Sequence, residues 1–412
     1  MLTATAPVSR RSLKDNLTLS AFWFGIEAHW ALLLPILMPA DVQRLVGEQN
    51  KAIYLGLLIG WLALIPLVVP PLVGAISDRV GRRMAFIMSG TLVNVVGLAV
   101  MYAAPSFALY FVGFLIVQVG NNLATSPYNA LIPDLVPAEE RGAASGIMGL
   151  LTLVGQIVGF GAAFAFSGNR LVEYIIIGVL LIGSGLVTVI STPEPKRHAK
   201  TAERPDWGAF LRPEYRDFRW VFLTRLFNEF GRAAVQPFLL YYLIDVIVSF
   251  KVGGLTFSDP GMALALLLGL LTVFGAVTAV WGGNISDRVG KKPIIYVAGA
   301  FMAAGAMGFA LVHSFTLALV MGLIFGLGYG AYMSVDWALG TAVLPNPRAL
   351  ARDMGVWHVA MVFPQVFDSA GGRLLTWGNT VGHNSGYTIL FAVAVVFFLM
   401  GTVFISQVRS VK

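Results

Sequence analysis

Ionisable side chains within long apolar stretches are the residues best placed to do chemistry in this sequence, because each costs about 2.5–3.5 kcal/mol to set at a bilayer centre. They are Glu27, His29, Arg225, Glu229, Arg232, Asp336, His358, Asp368 and Arg373. Glu27 and Glu229 sit about ten residues into their stretches, roughly 15 Å deep at the helical rise. A carboxyl at that depth is costly to keep charged unless a cation compensates, so Glu27, Glu229 and Asp368 are candidates for carrying a coupled proton. Arg225, Glu229, Arg232 and Gln236 follow at steps of four, three and four on one helical face, which makes an internal ion pair the competing reading for Glu229. His29 is two residues from Glu27 and points elsewhere. Asp336 lies a little over a turn from the end of its stretch and suits gating or a helix-end contact. Asp368 is deeper and could meet Arg373, Arg225 or Arg232. His358 could titrate near neutral pH, although a hydrogen-bonded helix histidine is the plainer reading.

A small polar solute needs flat apolar faces and a ring of amides and charges. Trp30, Trp337 and Trp357 supply the first, and Asn121, Asn122, Tyr128, Asn129, Asn228, Gln236 and Gln365 the second, with Arg225, Arg232 and His358 as charged partners. Asn121, Tyr128 and Asn129 share one side of their helix. Any single tryptophan also reads as packing or an interfacial anchor. There is no cysteine, which excludes disulfides and thiolate chemistry. HExxH, GxSxG and P-loop patterns are missing, so no enzyme chemistry, metal or cofactor is expected. GLGYGA, from Gly326 to Ala331, matches a dinucleotide fingerprint in letters alone. That motif needs a strand before it, and small residues in an apolar helix explain it better.

The elements that position these residues are membrane spans. Of 412 residues, 57% are apolar and 12% charged, against roughly a quarter charged in soluble domains. Twelve stretches approach the ~20 residues a spanning helix needs: 17–39, 51–76, 84–104, 107–132, 143–167, 171–191, 219–248, 260–285, 294–313, 315–341, 354–377 and 385–408. Twelve spans put both termini on one side. Arg44, Lys51, Arg170 and Lys251 fall on the other side and Arg225, Arg232 and Arg373 within spans, leaving 21 of the 28 basic residues on the side of the termini. The positive-inside rule makes that side cytoplasmic and accounts for the net charge of +7 without nucleic acid. An uncleaved, multi-pass protein of the inner cell membrane is expected, surrounded by lipid and monomeric.

Residues 192–218 are the one long hydrophilic stretch and divide the chain into 1–191 and 219–412. The two parts repeat. GAISDRVGRR from Gly74 recurs as GNISDRVGKK from Gly283, offset by 209, and SPYNALIPDLVP from Ser126 as SVDWALGTAVLP from Ser334, offset by 208. Glu27 and Pro35 match Glu229 and Pro237 at 202, a longer loop after the seventh span absorbing the difference. Repeats of this kind mark secondary transporters.

The doubled SDRVG loop with its basic pair resembles the signature loop of the major facilitator superfamily, and the resemblance covers the whole chain. It implies an all-α fold of two pseudo-symmetric six-helix bundles. It also implies cytoplasmic gating by Gly74, Asp78, Arg79, Gly81, Arg82 and Arg83, with Asp287, Arg288, Gly290, Lys291 and Lys292 as counterpart, and Asp336 nearby. The segments around Asn228–Val246, Ser334 and Asp353–Gln365 look like the branch of sucrose and glycoside symporters. Drug antiporters of the superfamily carry an arginine in the fourth span and a proline-bearing motif in the fifth; here stand Gln118, Asn121 and Asn122, and GQIVGFG. The expected function is proton symport of a small polar solute such as a sugar or glycoside, with sodium as another possible ion. Proton-coupled efflux of drugs or lipid-like amphiphiles is the alternative, and a non-transporting sensor with this fold is the alternative from another class.

Overall fold

A backbone in hydrocarbon must satisfy its hydrogen bonds within itself, and this chain does so by helices. The computed structural model describes residues 12–137, 140–194, 210–343, 356–357 and 359–411. Among them, eleven helices are long and apolar enough to cross a membrane. They are α1 (Leu13–Val46), α2 (Lys51–Val80), α3 (Arg83–Ala103), α4 (Phe107–Asn129), α5 (Arg141–Phe166), α6 (Arg170–Ser191), α7 (Pro213–Ile247), α8 (Pro260–Val289), α9 (Lys291–Leu311), α10 (Phe315–Ala342) and α12 (Ser385–Phe404). Between the last two, a 3-10 turn at Phe363–Phe367 runs into α11 (Asp368–Val381). The span expected at 354–377 thus begins partly outside the described residues.

The first span of each half exceeds its apolar stretch. A proline lacks the donor for an i→i−4 bond, and at the matched prolines the helices change pitch. Around Pro35, α1 takes a π turn at Leu33–Leu37, and α7 passes through a 3-10 turn at Gln236–Phe238. Beyond its π turn α1 continues to Val46 through Asp41 and Arg44, polar residues that a hydropathy reading takes as loop. After α7 comes a hairpin, Phe250–Val252 paired with Leu255–Phe257, turning at Gly253 with φ +57°. It is the insertion that shifts the repeat offset from 202 to 209.

Backbone contacts gather the chain into two compact units. Unit 1 takes the described residues up to Ala31, Val68–Gly159, and those from Leu171 to 194; unit 2 takes Leu32–Leu67, Phe160–Arg170 and everything from 210 on. In unit 1 a core of Leu19, Phe22, Ile26, Ile87, Tyr128 and Leu181 joins α1, α3, α4 and α6. In unit 2 Phe218, Val221, Ile295, Val335, Leu339 and Trp357 form the corresponding core. Glycine lets the helices approach closely. A Cβ on Gly326 would stand 2.7 Å from the Leu271 carbonyl and one on Gly328 2.6 Å from that of Ala298. The GLGYGA glycines are therefore packing surfaces against α8 and α9.

Candidate functional site

In unit 1 the site is built on α1. Trp23, Glu27 and Trp30 follow at steps of four and three, so one face carries a carboxylate with an indole a turn away on either side. Gln156 of α5 reaches it, its Nε2 donating to Glu27 Oε2 at 2.9 Å. The approach depends on GQIVG. A Cβ on Gly155 would collide with the Phe24 carbonyl, and one on Gly159 would lie 2.6 Å from that of Ala28. The two glycines bring α5 against α1 and set the intervening Gln156 beside the carboxyl.

One turn nearer the N-terminus, α1 is clasped by two hydroxyls. Tyr128 Oη accepts from the Trp23 amide at 3.3 Å and donates to the Leu19 carbonyl at 2.8 Å. Thr188 Oγ1 accepts from the Phe22 amide at 3.1 Å and donates to the Thr18 carbonyl at 2.9 Å. Each hydroxyl thus spans the two ends of an i→i−4 rung, the arrangement by which side chains steer helix bends. The Tyr128 ring lies edge-on to Phe22 and 5.8 Å from Trp23. Of the other expected solute contacts, Trp30 and Asn121 are half-buried and Asn129 is exposed. Asn122 is buried and donates to the Gln118 carbonyl at 2.7 Å, which makes it part of the α4 packing.

In unit 2 the counterpart on α7 is ionic. Arg225 forms a buried pair with Asp336 of α10, which also accepts from Tyr332 Oη at 2.9 Å. Trp357 packs over the guanidinium at 4.9 Å, Trp337 stands 5.7 Å from it, and Met361 Sδ is 3.7 Å from Nη2. Trp357 is 1% exposed, so it belongs to the core, whereas Trp337 is half exposed. One turn on, Arg232 holds Glu229 at 2.6 Å and donates to Gln236 Oε1 at 2.6 Å. The spacing along α7 thus joins Glu229, Arg232 and Gln236 in one ladder, while Arg225 turns to α10. Asn228 is buried and donates to the Thr224 carbonyl at 2.8 Å. Asp368 is buried at the start of α11, where the charge of Arg232 acts on it, and Gln365 is half-buried one turn before. His358 and the side chain of Asp287 lie outside the described residues.

The duplicated loops share their backbone and differ in their partners. Gly81 and Gly290 both take positive φ, +70° and +93°, where a glycine avoids the strain of a side chain. In unit 1 Arg83 reaches Asp78 at 2.9 Å and Asp134 at 2.7 Å, while Glu194 accepts from the backbone amides of Arg83 and Met84. Gly74 packs under Ser126, and Arg79 and Arg82 are exposed. In unit 2 Lys291 and Lys292 donate to the carbonyls of Ala338 and Val408, and Arg288 is exposed. Asp134 and Glu194 were not legible as partners, since Asp134 lies in the other repeated segment, where its counterpart is Ala342, and Glu194 in neither.

A further polar cluster escaped sequence reasoning. Lys51, at the start of α2, is buried between Glu48 and Asp245, which it meets at 2.6 Å, with the Tyr241 ring 4.8 Å away. Tyr387 Oη donates to the same aspartate. Nearby in unit 2, Arg170 Nη2 is 3.2 Å from Asp41. Lys51 and Asp245 are 194 residues apart, and no local pattern announces the pair.

A repeated glycine-turn loop, mid-helix carboxylates and paired helical units coincide with the matching family model, Major Facilitator Superfamily, which covers residues 21–367. The chain belongs to that superfamily. It is a multi-pass membrane transporter and not an enzyme. It is 28% identical over 402 residues to the multi-drug resistance efflux pump PmrA of Streptococcus pneumoniae, covering 92% of each chain. It is 26% identical to the sucrose transport protein SUT2 of rice, Oryza sativa, over 94% of this chain and 91% of that one. A crystal structure of a bacterial homologue of the human lysosomal transporter Spinster, inward-facing and unoccupied, shares its fold with a TM-score of 0.73 at 17% identity, covering 97% and 98% of the two chains. The departures from the drug-antiporter pattern in α4 and α5 therefore stand beside a full-length likeness to a protein named as an efflux pump.

Proposed function

We propose that this facilitator couples protons to the movement of a small polar organic solute of the sugar or glycoside class. The proton is carried by Glu27, with Asp368 and Glu229 in supporting positions. The observation that carries this reading is the Glu27–Gln156 hydrogen bond at 2.9 Å, on an α1 face flanked by Trp23 and Trp30. An amide serves both protonation states of a carboxyl. Its NH2 donates to the carboxylate, and after rotation its C=O accepts from the acid. The flanking indoles offer flat apolar faces for sugar C–H surfaces. Glu229, already neutralised by Arg232, serves mainly to hold the α7 ladder.

In this reading the sequence halves 1–191 and 219–412, joined by 192–218, move by alternating access, although the compact units divide the chain differently, with Leu32–Leu67 and Phe160–Arg170 in unit 2. The termini and linker face the cytoplasm across the inner membrane, as the distribution of basic residues favours. The protein works as a monomer in lipid, and sodium is the ion to test against the proton. A second reading, efflux of drug-like amphiphiles, is favoured by the likeness to PmrA. Flux into proteoliposomes under an imposed pH gradient, with glucosides and lipophilic cations side by side, separates them. Gradient-driven accumulation of a glucoside supports symport. Proton-driven export of the cations with no glucoside uptake overturns it, and binding without any flux points to a sensor.

A further inference from the structure

Unit 1 contains a cavity of about 220 Å³ between α1, α4, the short helix Leu131–Leu135 and α5. Ser20, Trp23, Tyr128, Asn129, Leu131 and Met148 line it, with Ser145 beside them. A dry cavity of about 150 Å³ accepts a benzene ring, so this one admits an aromatic ring with a few further atoms. Its walls suit such a ring. The Trp23 and Tyr128 rings meet at 44°, and Met148 adds a thioether, which packs favourably against aromatic groups. Asn129 and Ser145, both exposed, add polar groups to its lining.

The matching corner of the repeat in unit 2 is filled differently. At offsets of 202 and 208, Trp23 and Tyr128 correspond to Arg225 and Asp336. There the corner is closed by an ion pair and by the buried Trp357, which a Cβ on Gly340 would meet at 2.9 Å. Trp23 also links the cavity to the proposed site, since Ser20, Trp23 and Glu27 follow at steps of three and four on one face of α1.

We infer that this cavity is a subsite for the aryl group of an amphipathic solute whose polar part is held at Glu27 and Gln156. The inference rests on the glycoside reading for the identity of the polar part, and the two can fail separately. Since the chain has no cysteine, Ser145→Cys gives a single reporter at the cavity. In nanodiscs its modification by N-ethylmaleimide is timed with phenyl β-glucoside, methyl β-glucoside or benzyl alcohol, and Thr380→Cys in the other unit controls for general effects. Phenyl glucoside is expected to slow the reaction by roughly tenfold at saturation, and methyl glucoside to leave it unchanged. Adding Met148→Trp, which fills the cavity, should remove the protection. If that variant fails to fold, Trp23→Leu, which removes one aromatic wall, should weaken protection several-fold. Protection by benzyl alcohol but not by phenyl glucoside keeps the subsite and overturns the glycoside reading. Protection by neither aryl compound, or equal protection by methyl glucoside, overturns the subsite.

Discussion

The corner formed by Trp23 and Tyr128 in unit 1 and the corner formed by Arg225 and Asp336 in unit 2 occupy the same place in the repeat and solve it with opposite chemistry. In the first, a phenol hydroxyl bridges two backbone groups of α1 and two rings meet beside a cavity. In the second, a guanidinium and a carboxylate are buried to 2% and 1%, completed by Tyr332 and roofed by Trp357. Duplication has preserved helix placement while the side chains diverged. The aromatic corner can admit a ligand. The ionic corner cannot open without separating two buried charges, so it serves as a rigid strut.

The contrast can be broken most forcefully at the strut. Arg225→Met strands Asp336 among apolar neighbours and should destabilise the protein by about 3–5 kcal/mol, the usual cost of removing one partner of a buried pair. Adding Asp336→Leu should restore most of that loss. Denaturant unfolding in detergent reads both, and a single variant as stable as wild type would mean the corner is wet. Next is the contact that brings α5 to α1. Gly155→Val drives a side chain into the Phe24 carbonyl and should cost about 1–3 kcal/mol, as overpacking does, while separating Gln156 from Glu27. Stability and proton uptake per solute should fall together, and loss of stability with coupling intact would detach Gln156 from the mechanism.

Tyr128→Phe tests the aromatic corner more gently. It removes one hydroxyl serving two backbone groups and should cost about 0.5–1.5 kcal/mol, measured by the same unfolding, with the cavity still able to take a ring. The smallest effect is expected at the loops. Arg83→Gln breaks contacts to Asp78, itself 64% exposed, and to Asp134. Such partly solvated pairs contribute under about 1 kcal/mol, so stability should barely change while the transport rate reports any gating role.

Much of this was legible from residue order. Gly81 and Gly290 could be read as turn glycines because the repeat sets both before a basic pair, and their positive φ bears that out. The contacts of Glu229, Arg232 and Gln236 along α7 followed from helical spacing, because contact within a helix is fixed by period, whereas Arg225, on the same face, pairs with Asp336 of α10. Contacts between helices were not so fixed. Trp357 and Trp337 look alike in sequence, yet one is core and the other half exposed, since periodicity tells which residues share a face but not what that face meets. Gln156 could have been found: an amide between two glycines four apart is carried to whatever helix those glycines touch. Lys51 and Asp245 had no such signal, and only the folded chain brings them together.

The central claim is that Glu27, held by a neutral amide, carries the coupled proton while Glu229, held by Arg232, does not. Glucoside transport in proteoliposomes by wild type, Glu27→Gln and Glu229→Gln, measured both as accumulation driven by a pH gradient and as solute exchange without one, tests it directly. The account predicts that Glu27→Gln keeps exchange and loses accumulation, whereas Glu229→Gln, if folded, keeps both. Gradient-driven accumulation that survives in Glu27→Gln, or that disappears selectively in Glu229→Gln, would contradict it.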